Sequence, residues 1–169
     1  MLNTKNIFTL LGFKLTWLSC VFGELYYNSW FGFIVGIIFL IFFFYYDNNK
    51  FKSLKIILLF STLGYLFDSI LSLFNLYKIE GHDNFLYLPV WFLVLWPSFC
   101  TLLINVLSIL KKYILLSAFF GAFIGPVTYY AGVTLGLANV ETSSVFFIIS
   151  IFWLSMMLIY AKYNFFSRN

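Results

Sequence analysis

The sequence predicts an all-α integral membrane protein: a single domain, residues 1–169, built as a bundle of six transmembrane helices with both termini in the cytoplasm. Three observations carry this prediction. The chain of 169 residues is 63% hydrophobic and only 9% charged, too little charge to cover the surface of a soluble domain of this length. Its apolar residues fall into long runs, each near the ~20 residues that a helix needs to cross a bilayer. Its basic residues fall between those runs on alternate connections, which is how charge sets membrane orientation.

The runs place helix 1 near 6–26, helix 2 near 28–46 and helix 3 near 54–76. Helix 4 follows near 88–110, helix 5 near 113–137 and helix 6 near 143–161. With the N-terminus inside, Lys5, Lys50, Lys52, Lys55, Lys111, Lys112, Lys162 and Arg168 all lie in the cytoplasm. Lys78 alone lies outside, and Lys14 is within helix 1. Tyr26, Tyr27, Trp30, Tyr77, Tyr87 and Trp91 then mark the outer interface; Tyr45, Tyr46, Tyr113, Tyr160 and Tyr163 mark the inner one. Helix 1 is read as a retained anchor, because Lys14 interrupts its apolar stretch and no small-x-small cleavage site follows. Nine of the ten basic residues are Lys, which with many Asn, Ile and Phe points to an AT-rich bacterial genome.

The net charge of +4 is no sign of nucleic-acid binding, because the lysines are dispersed between apolar spans. Cys20 and Cys100 belong to no ligand motif, and His82 is the only histidine, so no metal or other cofactor is expected. No paired carboxylates, histidine cluster or nucleophile–base pair is visible, which argues against an intramembrane enzyme.

Small and polar residues at three- and four-residue spacing mark the faces where helices meet. Helix 1 carries Thr9, Gly12, Thr16, Ser19 and Gly23. Helix 3 carries Ser61, Gly64, Tyr65, Asp68, Ser72 and Asn75, and helix 4 carries Ser98, Thr101, Asn105 and Ser108. Helix 5 carries Ser117, Gly121, Gly125, Thr128, Gly132 and Gly136, with Pro126 in its middle. Helices 1, 3, 4 and 5 are therefore expected at the centre, with the uniformly apolar helices 2 and 6 outside them. The helix 5 residues Gly121, Gly125, Pro126, Gly132 and Gly136 are read as packing positions.

Asp68 is the one carboxylate at depth, and leaving it in lipid would cost several kcal/mol. It is read either as facing a polar cavity beside helix 4 or as hydrogen-bonding a neighbouring helix and fixing its register. The candidate binding residues are Asp68, Tyr65, Ser72, Trp96, Ser98, Thr101 and Tyr129, with no catalytic residue among them. Pro97 and Pro126 kink their helices either to free carbonyls as ligands or simply to accommodate packing. Lys14 is expected to snorkel, Glu24 to be a solvated helix end, and His82 to lie in a solvated loop with Glu80 and Asp83.

Several segments together resemble a known family. They are Phe13-Lys14-Leu15-Thr16-Trp17, Leu63-Gly64-Tyr65-Leu66-Phe67-Asp68-Ser69, Leu95-Trp96-Pro97-Ser98-Phe99 and Gly125-Pro126-Val127-Thr128-Tyr129-Tyr130-Ala131-Gly132. The chain is similar over nearly its whole length to a bacterial inner-membrane family catalogued as domain of unknown function twenty-eight seventy-eight. Some members of that family carry the label permease, and its genes often lie near lipid-modifying enzymes. Two functions follow. One is a small permease-like transporter, for which so short a chain would form a homodimer. The other is a non-catalytic partner that binds membrane lipids or presents them to a lipid-modifying enzyme.

Overall fold

The computed structural model describes residues 4–26 and 28–163; Tyr27 and Arg168, used above for interface and orientation, lie outside the described residues. Its helices are α1 (Thr4–Leu25), α2 (Ser29–Tyr46), α3 (Lys50–Leu73), α4 (Phe92–Ile104), α5 (Ile114–Thr134) and α6 (Val145–Tyr163). All but α4 are long and apolar enough to cross a membrane, and these five mark a multi-pass membrane protein. The polar connections all fall at two ends of the bundle. One end is rich in lysine, and the other carries two short strand pairs.

The fourth apolar run departs from the expected helix over 88–110. Its first residues form a strand instead. β1 (Tyr77–Ile79) pairs antiparallel with β4 (Ala138–Val140), and β2 (Asn84–Phe85) pairs with β3 (Leu88–Pro89). The fold is thus not purely helical. α4 is 13 residues long and gives way to a 3-10 helix over Leu107–Lys112. Its C-terminal end is set from outside: the Tyr160 hydroxyl of α6 donates to the Leu103 carbonyl, the acceptor that a further helical turn would use. The Asn105 amide meanwhile donates to Thr9 of α1 at 2.8 Å.

α4 is the centre of the bundle and packs on α1, α2 and α3. The α3 stripe faces it, with Ser61 bonded to Cys100 at 3.4 Å and Gly64 beneath the Trp96 ring. Helix 5 is not central, contrary to the sequence expectation. It is the least buried of the five long helices and packs chiefly on α6, while α6 is the most buried. α6 sinks Val145, Ile149, Met156, Met157 and Tyr160 into the core, and its Phe152 stacks on Phe67 of α3 at 3.7 Å between ring centroids.

The glycines of α5 divide accordingly. A methyl group on Gly121 or Gly125 would collide with Met157 or Trp153 of α6, so both are close-packing positions. Gly132 faces only the Tyr77 hydroxyl. Gly136 lies beyond the helix at φ +74° with nothing nearby, so it terminates the helix and packs against nothing. Pro126 cannot donate to Ala122, and the Ser150 hydroxyl of α6 donates to that carbonyl instead at 2.8 Å. The carbonyl freed by Pro126 is therefore taken up in packing and is no ligand.

Candidate functional site

A cavity of about 320 Å³ lies between α1, α4 and α5. Phe13, Trp17 and Val21 form one wall, and Phe120, Ile124 and Thr128 form the facing one. Leu95, Trp96 and Phe99 of α4 lie between them. α1 and α5 make no substantial contact with each other, so the cavity lies where two neighbouring helices stay apart. Ile79, Trp91 and Ala138 line it at the strand-bearing end, and Leu107 at the other. Its size is at the lower end of the range for small-molecule pockets. Its wall is overwhelmingly aromatic and aliphatic, which departs from the expected polar cavity.

One polar cluster interrupts that wall. Asp68 is 1% exposed and sits about 8 Å below the end of α3 at the usual helical rise. One carboxylate oxygen accepts the Trp96 indole N–H at 2.7 Å, and the other accepts the Tyr129 hydroxyl at 2.6 Å. The Tyr77 hydroxyl donates to the Tyr129 backbone carbonyl at 2.8 Å. Burial first, and then the Asp68 charge, hold the Tyr77 phenol well above its usual range, so it stays a donor. The Trp153 indole N–H lies beside the Tyr129 hydroxyl without reaching hydrogen-bond geometry and has no other acceptor. Asp68 therefore ties α3 to α4 and α5 at one point.

The other sequence candidates lie elsewhere. The Tyr65 hydroxyl donates to the Phe85 carbonyl at 2.8 Å, and Ser72 donates to the Tyr87 carbonyl at 3.0 Å. Both hold the β2–β3 hairpin, whose Leu86 has φ +58°, a strained backbone for a bulky residue. Ser98 and Thr101 are buried inside the bundle, with Thr101 donating to the Ser98 carbonyl at 2.7 Å. None of these four lines the cavity. Lys14 is exposed on the outside of α1.

Glu24 is the main correction, while His82 is exposed in its loop as expected but reaches Glu24. Glu24 is not a solvated helix end: it is 4% exposed and accepts four hydrogen bonds. One oxygen accepts from the His82 backbone N–H at 2.8 Å and contacts His82 Nδ1 at 2.6 Å. The other accepts from Ser29 at 2.6 Å and from the Trp91 indole at 2.8 Å. Ser29 in turn accepts the Asp83 backbone N–H at 3.2 Å. His82 thus pairs with an acid of α1, not with Glu80 or Asp83. No sequence signal links Glu24 to partners 58 and 67 residues away.

Residues 6–159 match the family described as Protein of unknown function (DUF2878). The chain belongs to that family. The DUF2878 description assigns no activity, so the chemistry of this member has to be read from its own cavity. No curated protein and no solved structure matches the chain.

Proposed function

We propose that this DUF2878 protein is a non-catalytic membrane protein that holds one hydrocarbon chain of a lipid between α1, α4 and α5. The aromatic and aliphatic wall of the cavity is the observation that carries this reading. Water gains little in such a space, whereas a hydrocarbon chain finds contact along its wall. The gap between α1 and α5 gives a chain a lateral way in from the bilayer. A permease-like role for a polar solute fits less well, because both Asp68 oxygens already have donors and the wall offers a solute little beyond Thr128 and the unpaired Trp153 indole N–H. A chain held in this way would be presented to a partner such as a lipid-modifying enzyme.

The built-in reporters are four of the five tryptophans, Trp17, Trp91, Trp96 and Trp153, which line the cavity. Phospholipids brominated along the acyl chain are expected to quench their fluorescence in reconstituted protein. Native mass spectrometry is expected to find a retained lipid. Ile124→Trp fills the cavity from a partly exposed position and should lower lipid retention by about tenfold, near 1.4 kcal/mol. Equal retention by this variant, with folding intact, would overturn the reading.

The same proposal takes the bundle as six crossings, with short α4 completing the fourth together with the 3-10 helix. The lysine-bearing end faces the cytoplasm of a bacterial inner membrane. Reporter fusions at residues 52 and 111 and at the C-terminus should then report cytoplasm. Fusions near 82 and 140 should report the outside, and a reversal at any of these sites would break this topology.

A further inference from the structure

We propose that residues 80–91 form a lid on the outer end of the cavity and that Glu24 is its latch. This rests on the chain-binding reading above and adds how access to that site is controlled. Ile79, just before the loop, and Trp91, its last residue, are themselves cavity wall. The loop cannot lift without moving that wall. Trp91 makes the link direct, because it lines the cavity while its indole N–H is held by Glu24.

The latch joins three parts of the chain at one carboxylate: the end of α1, the start of α2 through Ser29, and the loop through His82 and Trp91. A carboxylate buried to this degree and bonded by four donors holds its partners firmly, since charge-assisted hydrogen bonds are roughly twice as strong as neutral ones. The loop is also attached to α3, through Tyr65 and Ser72 at the β2–β3 hairpin. That attachment lies on the α3 side; on the α1–α2 side the loop is held by Glu24 and by the Asp83 N–H on Ser29, which Glu24 itself orients. Releasing Glu24 therefore loosens the side of the lid nearest α1, next to the gap through which a chain would enter.

The test uses the full chain with Ile79→Cys, reconstituted in vesicles and exposed from outside to a membrane-impermeant maleimide. Ile79 is 6% exposed, and the native thiols Cys20 and Cys100 are fully buried, so labelling is read at position 79 by peptide mass. Glu24→Gln keeps the shape but turns an amide toward donors that need an acceptor. It is expected to raise the labelling rate at position 79 about tenfold and to speed lipid dissociation in parallel. Trp91→Phe removes one donor and keeps a ring in the wall, so it should give a smaller acceleration. It carries the test if Glu24→Gln fails to fold. Gly12→Ala, which strains a remote contact with Phe39, should lower stability without faster labelling. Unchanged labelling in both latch variants overturns the lid. Faster labelling in a protein that retains no lipid upholds the lid and removes the chain-binding reading. Retained lipid with unchanged labelling does the reverse.

Discussion

Gly32→Ala is expected to cost the protein more than a single methyl group usually does, about 3 kcal/mol at the upper end of overpacking effects. The added carbon would lie 2.4 Å from the Cys20 α-carbon and 2.7 Å from its backbone nitrogen. Both are backbone atoms of α1, so no side chain can rotate away, and the two helices must separate. Separation would loosen the whole α1–α2 interface, including Gly36 against Thr16 and Gly23 against Phe31. It would also disturb the Glu24–Ser29 bond one turn away. Melting of the purified protein in mild detergent measures the effect. The comparison is Gly132→Ala, where the obstacle is only the tip of the Tyr77 side chain at 2.7 Å, and which should lose about 1 kcal/mol or less. Equal melting temperatures for the two variants would contradict the close α1–α2 contact.

The case of Gly32 also explains what the sequence could and could not convey. The helices were legible because a run of apolar residues long enough for a bilayer has few alternatives. Their arrangement was less legible, because in lipid an apolar residue gains nothing by facing the core. A stripe of small residues therefore says that one backbone comes close. It does not say how many neighbours a helix has. Helix 5 has such a stripe and a single main partner, α6. Helix 6 has none, yet it is buried through bulky residues such as Met156, Met157 and Tyr160 that would be equally at home in lipid.

The candidate site shows the same limits. The depth of Asp68 and the indole of Trp96 were legible, since each polar group in an apolar span needs a partner. Tyr129 stood among the candidates, but its direct bond to Asp68 was not legible, because 61 residues separate the two, with α4 and the 3-10 helix between them. The apolar character of the cavity escaped the sequence because its lining residues look like lipid-facing ones. Residues 88–91 read as helix for a related reason. Leu88, Val90 and Trp91 are apolar because they cover the end of the bundle, and periodicity cannot separate that role from a span.

Asp68→Leu is expected to unfold the protein or to lower its stability by about 2–5 kcal/mol, whereas Asp68→Asn should fold with a loss of about 1 kcal/mol. The difference follows from the two donors. Leucine leaves both the Trp96 N–H and the Tyr129 hydroxyl buried without an acceptor, and each such group costs about 1–3 kcal/mol. Asparagine can satisfy both. Its carbonyl oxygen accepts from the indole, which can only donate, and its amide donates to the phenol, whose hydroxyl can turn to become the acceptor. Tyr129→Phe should fall between them, because it removes one donor and leaves the Trp96 bond in place. The chain-binding reading adds a second expectation: Asp68→Asn retains lipid as the parent does, since the carboxylate serves to join α3, α4 and α5 around the cavity. Melting temperature and lipid retention measured together on the three variants decide the matter. If Asp68→Asn folds like the parent but loses the lipid, the charge itself takes part in recognition. If it melts as early as Asp68→Leu, the negative charge is what holds the three helices together, and the exchange of donor and acceptor derived from the geometry does not occur.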